Sequence, residues 1–141
     1  MDKQALIEQF KAESDRAAAL LAASYLDECL KRRLLDHFSS RKTGLELLDG
    51  PLAPLGSFSA RSKACHALGL IDGQTYRDLN SLRNIRNEFG HSWKEGDFDM
   101  PRVAKLCRKL TWHGDPEAQA WATPRERFNQ LAFQLFDALG D

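Results

Sequence analysis

The stretch Gly73-Gln74-Thr75-Tyr76-Arg77-Asp78-Leu79-Asn80-Ser81-Leu82-Arg83-Asn84-Ile85-Arg86-Asn87-Glu88-Phe89 decides the fold class. Tyr76, Leu79, Leu82, Ile85 and Phe89 recur at steps of three and four, which gathers them near one face of a helix. Asp72 precedes them as an N-cap candidate, and Gly90 follows as a stop. Working back from there, Ser57 or Ser59 can cap a helix that runs to Leu68 and ends at Gly69. Asp49-Gly50-Pro51 and Pro54-Leu55-Gly56 punctuate a loop before it. A short helix is expected over residues 45–48. Residues 3 to about 38 read as helical, with a break where Ser14 and Asp15 can cap a new start. Leu21, Tyr25, Cys29, Leu30 and Leu34 form the apolar stripe of that segment. Lys31, Arg32 and Arg33 fall late in it, where positive charge suits the helix dipole.

The same period continues downstream. Asp99 with Pro101 opens a helix through Leu110. Thr123-Pro124-Arg125-Glu126 is a capping box with proline in the first turn. It starts a last helix to Leu139, with Phe128, Leu131, Leu135 and Phe136 on its core face. Val, Ile and Thr are few and no segment alternates apolar with polar residues, so a sheet is disfavoured. The expectation is all-α: one domain over residues 1–141, a compact bundle of five to six helices.

The 141 residues suffice for one hydrophobic core without staples. Hydrophobic residues make up 43% and charged residues 28%, as in an ordinary globular chain. Twenty basic residues balance twenty acidic ones, which disfavours a grip on a long stretch of duplex DNA. Any nucleic-acid contact must come from a local patch. Cys29, Cys65 and Cys107 are odd in number and widely spaced, so neither a disulfide framework nor a zinc site is expected. Each falls in a helical pattern, as a small buried hydrophobe would. His37, His66 and His113 are scattered without ligand spacing, and the expectation is no metal and no cofactor. The N-terminus lacks a signal-peptide core, and the longest mostly apolar run, residues 17–26, is about half a membrane span. A cytoplasmic protein without membrane contact is the expected class.

Two charged stretches could bind anions. Ser57-Phe58-Ser59-Ala60-Arg61-Ser62-Lys63 places hydroxyls and free amides at a helix start beside Arg61 and Lys63. Helix capping with packing of Phe58 explains the same residues. Arg102, Lys105, Arg108 and Lys109 make one basic helix face, which can attract phosphates modestly or simply be solvated. No glycine-rich phosphate loop or nucleophile elbow is present.

Three segments resemble the mannitol operon repressor (MltR-like) family. They are Glu13-Ser14-Asp15-Arg16-Ala17-Ala18-Ala19-Leu20 continuing to Tyr25-Leu26-Asp27-Glu28, then Asp49-Gly50-Pro51-Leu52 with the stretch from Pro54 to Ile71, and Leu82-Arg83-Asn84-Ile85-Arg86-Asn87-Glu88-Phe89-Gly90-His91. The likeness covers residues 13–91 and fades beyond Ser92. It implies transcriptional regulation, and it comes without an obvious DNA-reading helix. The third segment also resembles the HEPN motif Arg-polar-x-x-x-His, here Arg86-Asn87-Glu88-Phe89-Gly90-His91. That likeness implies a helical bundle that often dimerises. Active members are metal-independent endoribonucleases with the arginine and histidine at the dimer cleft, and other members are binding modules.

Ribonuclease chemistry needs proton transfer near neutral pH, which His91 can supply, and phosphate stabilisation, which Arg86 can supply. Asn87 and His91 are four apart and so share a face; Arg83, four before Asn87, extends them into a polar ridge, with Arg86 at its edge. Arg86, Asn87 and His91 are the catalytic set if the chain is a ribonuclease, a toxin being one version of that reading. Otherwise they form a structural network or a binding surface, with Asp15, Asp27 and Glu28 as candidate partners for the cations. Arg83, Ser57, Ser59, Arg61 and Lys63 are the binding candidates. The expected function is a regulator acting through protein or ligand contacts, as a homodimer, with weak or no direct DNA binding and with RNA contact open. The alternatives are a HEPN-type endoribonuclease and a dimeric interaction module without chemistry.

Overall fold

A computed structural model describes residues 2–91 and 96–140. Its elements are α1 (Lys3–Ala12), α2 (Asp15–His37), α3 (Arg41–Leu48), α4 (Phe58–Ala67), α5 (Gly73–Gly90), α6 (Pro101–Arg108), a 3₁₀ turn (Pro116–Trp121) and α7 (Pro124–Leu139). No strand occurs among the described residues. The all-α expectation holds, and the seven α-helices exceed the expected five or six mainly because the first helical segment is two helices.

Capping chemistry sets these boundaries. Ser14 Oγ accepts the Ala17 amide at 3.3 Å and opens α2, while Glu13 is extended. Ser57, Asp72 and Thr123 accept amides at the starts of α4, α5 and α7. At Thr123 the reciprocal bond from the Thr123 amide to Glu126 completes the capping box. Gly69 ends α4 with φ of 74°, and the amides of Gly69 and Leu70 return to the carbonyls of His66 and Cys65. That is the paired closure a left-handed residue permits, and a side chain there would be strained. Two boundaries differ from expectation. Ser40 caps α3 through the Thr43 amide, so this helix begins well before Leu45. Met100, not Asp99, stands at the N-cap of α6 with no side-chain cap, and α6 stops at Arg108. Asp99 instead donates its amide to Asp97.

α2 and α5 form the centre. α2 packs on α1, α3, α4, α5 and α7, and α5 packs on α2, α4, α6 and α7. Leu79, Leu82, Ile85 and Phe89 are fully buried, as are Phe128, Leu131, Leu135 and Phe136 of α7. Truncating one of these to alanine would cost about 2–5 kcal/mol. Tyr76 is only partly buried, because its ring stacks on exposed His66 at 4.4 Å. All three cysteines are buried and free.

One arginine holds the helix junctions. The last carbonyls of α1 have no partners within the helix. Arg125 of α7 donates to the carbonyls of Phe10 (3.1 Å) and Glu13 (3.3 Å) and pairs with Asp15 Oδ1 at 2.6 Å. Asp15 Oδ2 accepts the Phe98 amide at 2.9 Å. The α1–α2 break, the start of α7 and the lead into α6 are thereby fixed to one another.

Candidate functional site

The last turns of α5 carry the polar residues singled out by the sequence. Arg86 donates from Nε and Nη2 to Asn87 Oδ1 at 3.2 and 2.9 Å. Its guanidinium lies 5.7 Å from the ring centroid of Phe58, the first residue of α4. The two stretches picked out separately therefore meet, with an arginine over an aromatic face. Arg83 is half-buried, and its Nε is enclosed without a hydrogen-bond partner.

His91 is not part of that contact. Five positions beyond Arg86 on a helix of 3.6 residues per turn, it points about 140° away around the axis. It is the exposed C-cap residue of α5. With Glu88, Met100, Pro101, Arg102 and Val103 it lines a cavity of about 450 Å³ between the end of α5 and the start of α6. Arg86 and Asn87 are brought together, and His91 opens on a flank away from Arg86.

The start of α4 is divided as well. Ser57 Oγ is occupied by the Ala60 amide at 3.1 Å. Ser59 is half-buried and Lys63 is exposed. Arg61 turns inward and is only 6% exposed. It donates to the carbonyls of Leu55 (2.9 Å) and Leu48 (2.8 Å) and pairs with Asp27 at 3.1 Å. Leu48 ends α3, so its carbonyl is one of those a helix leaves unpaired. Arg61 is a strut between α2, α3 and the following loop, and its guanidinium does not face the helix start as an anion would need. Two acidic residues of α2 likewise serve distant arginines. Asp27 pairs with Arg61, and Asp15 with Arg125.

The basic face of α6 is solvated as expected: Arg102, Lys105, Arg108 and Lys109 are all exposed. A second cavity, about 290 Å³, is lined by Glu88, Arg102, Lys105, Leu106 and Lys109. It shares Glu88 and Arg102 with the first, so the two adjoin as a groove along α6. Arg102 Nη1 stands 4.0 Å from Glu88 Oε2.

One pair escaped the sequence reading. His113 Nε2 lies 3.3 Å from Asp78 Oδ2, both side chains largely buried, in a contact too poorly aligned to count as a hydrogen bond. Gln74 Nε2 donates to Asp78 Oδ1 at 2.9 Å. The pair links the segment after α6 to the first turns of α5. No local spacing could announce it, because its members lie on different elements.

Two of the three thiols are disfavoured as nucleophiles. Burial pushes Cys65 up to about 11 and Cys107 up to about 12, so both remain protonated at neutral pH. Among the described residues no cluster of three or more His, Cys, Asp or Glu could hold a metal ion. No helix among them is long and apolar enough to cross a membrane.

No protein-family model matches the chain. The chain is 31% identical over 114 residues to the mannitol operon repressor of Escherichia coli (strain K12), a match that takes in 69% of this chain and 58% of the relative. The mannitol operon repressor of Escherichia coli O6:H1 matches to the same extent. The match thus spans less than two thirds of these relatives' length. In three dimensions the chain superimposes on a chain of the X-ray structure of the MtlR-HPr complex from Escherichia coli. The TM-score is 0.74 with 98% of both chains covered, at 21% sequence identity. The helical arrangement is therefore one already seen in that complex.

Proposed function

We propose that the chain belongs to the mannitol operon repressor family and is a transcriptional regulator that acts through protein contacts. The observation that carries this reading is the 31% identity to a mannitol operon repressor, which agrees with the three segments between residues 13 and 91. The fold supports it, since a chain of the same architecture was crystallised in a complex of MtlR with HPr. By that likeness HPr is the first candidate partner. The surface we assign to partner binding is the polar outer side of α5, where Arg86 and Asn87 are held together over Phe58 and flanked by Arg83, with Ser59 and Lys63 on neighbouring α4. An isologous homodimer without tight DNA affinity completes the proposal. A net charge of zero agrees with regulation through protein rather than through a broad phosphate grip.

The endoribonuclease alternative asks Arg86 and His91 to act on one phosphate. Within one chain they open on different flanks of α5, and no observation favours that reading.

The test is a calorimetric titration of the purified chain with HPr. We expect saturable heat that is lost in the double variant Arg86→Ala/Asn87→Ala while its thermal melt stays close to wild type. Absence of heat at high protomer concentration would remove HPr as partner. Cleavage of total RNA by the wild type but not by His91→Ala would replace the regulator with a ribonuclease.

A further inference from the structure

We propose that the groove between α5 and α6 is a docking site for an acidic, amphipathic helix of a protein partner. This rests on the reading that the chain works through protein contacts, but not on HPr being the partner.

The argument starts from the face that α6 leaves free. Val103, Cys107 and Leu110 turn into the core. Arg102, Lys105 and Lys109, at steps of three and four, fall on the opposite side with half-buried Leu106 among them. Their cations have little to neutralise them. Arg102 reaches Glu88 only at 4.0 Å, and Lys105, Arg108 and Lys109 form no ion pair among the described residues. Positive charge is therefore concentrated here in a chain whose net charge is zero.

The groove also has apolar walls. Leu106 contributes on one side of Arg102, and Met100 and Pro101 on the other. A cationic rim over an apolar floor complements a helix with acidic residues on one side and leucine-like residues on the other. The eight residues of α6 extend about 12 Å, so roughly two turns of a ligand helix would lie against them. A nucleic-acid backbone fits less well. The apolar walls beside the cationic rim suit the leucine-like side of a helix and gain nothing from a phosphate backbone.

The experiment is fluorescence anisotropy with the full chain. The probe is a labelled helical peptide of about four turns bearing Glu and Asp on one face and Leu on the other. A scrambled peptide of the same composition and a single-stranded and a duplex oligonucleotide are the comparison ligands. The protein variant is Lys105→Glu/Lys109→Glu, whose side chains are solvated, so a thermal melt should show it folded. We expect the amphipathic peptide to bind at least five-fold tighter than the scrambled one, and the charge reversal to weaken it at least ten-fold. Equal affinity for both peptides, or indifference to the reversal, would overturn the proposal. So would tighter oligonucleotide binding that the reversal abolishes, which would assign the groove to nucleic acid. Loss of a wild-type dimer on reversal, read by sedimentation, would assign it to a second copy of the chain and likewise overturn it. Running the HPr titration alongside separates the two readings. Peptide binding without HPr binding leaves the groove standing and removes HPr. HPr binding without peptide binding does the reverse.

Discussion

Arg61 on α4 and Arg86 on α5 start from the same chemistry and end in opposite situations. Both were candidates to meet an anion. Arg61 is almost completely buried, with two carbonyls and a carboxylate around its guanidinium. Arg86 is half-buried, bonded to the side chain of its neighbour Asn87 and laid over Phe58. The difference lies in what surrounds each. Arg61 faces the end of α3, where the helix leaves its last carbonyls unpaired, so a five-donor fork has fixed acceptors there. Arg86 is half-buried, and among the described residues no backbone carbonyl accepts from its fork. An arginine enclosed by its own fold serves stability; Arg86 lacks that enclosure, which is why the proposed function gives it to a partner.

Substitutions at four positions break or sharpen that contrast. Arg61→Ala has the largest expected effect. It leaves Asp27 and two carbonyls without their donor, at a cost of about 3 kcal/mol. The melting temperature should fall by roughly 10 °C, as should the urea midpoint in step. Arg61→Lys should recover less than half, because one ammonium cannot reach acceptors on three sides. A loss below about 1 kcal/mol would break the contrast outright, by showing that the buried arginine is not a strut.

Arg125→Ala comes next. Its guanidinium is partly exposed but holds the end of α1, Asp15 and, through Asp15, the lead into α6. A loss of about 2 kcal/mol is expected. Hydrogen exchange should quicken first in α1, the helix this residue clamps. Thr123→Ala isolates the cap alone. It removes the acceptor of the Glu126 amide and should cost about 1 kcal/mol in urea unfolding, with no effect on partner binding.

Arg86→Ala should have the smallest effect on stability, under about 1 kcal/mol, since it gives up a neighbour contact and a ring contact near the surface. Its effect on HPr titration should instead be large. If Arg86→Ala unfolds the chain as readily as Arg61→Ala, the outward cluster is structural after all, and the binding surface must be sought along α6.

The helices and their ends were legible from local signals. Ser14, Ser57, Asp72 and Thr123 each cap where the sequence places them, because an N-cap is settled by one side chain and an amide two or three positions on. The buried face of α5 followed from spacing alone, because helical geometry forces positions 79, 82, 85 and 89 to one side. α6 was less legible. Asp99 reads as its cap, yet Met100 takes that position, since Asp97 holds the Asp99 amide.

What the sequence determined by itself was most of what is fixed within a few residues: the helical period, the caps at Ser14, Ser57, Asp72 and Thr123, the stop at Gly69, the burial of the cysteines, and the basic face of α6. What only the tertiary structure decided was the partnership of each charge. Asp15 with Arg125, Asp27 with Arg61 and Asp78 with His113 join separate elements. The cause is physical. A helix presents side chains around its whole circumference, and only packing determines which arginine is closed off from water beside an unpaired carbonyl and which remains at the rim.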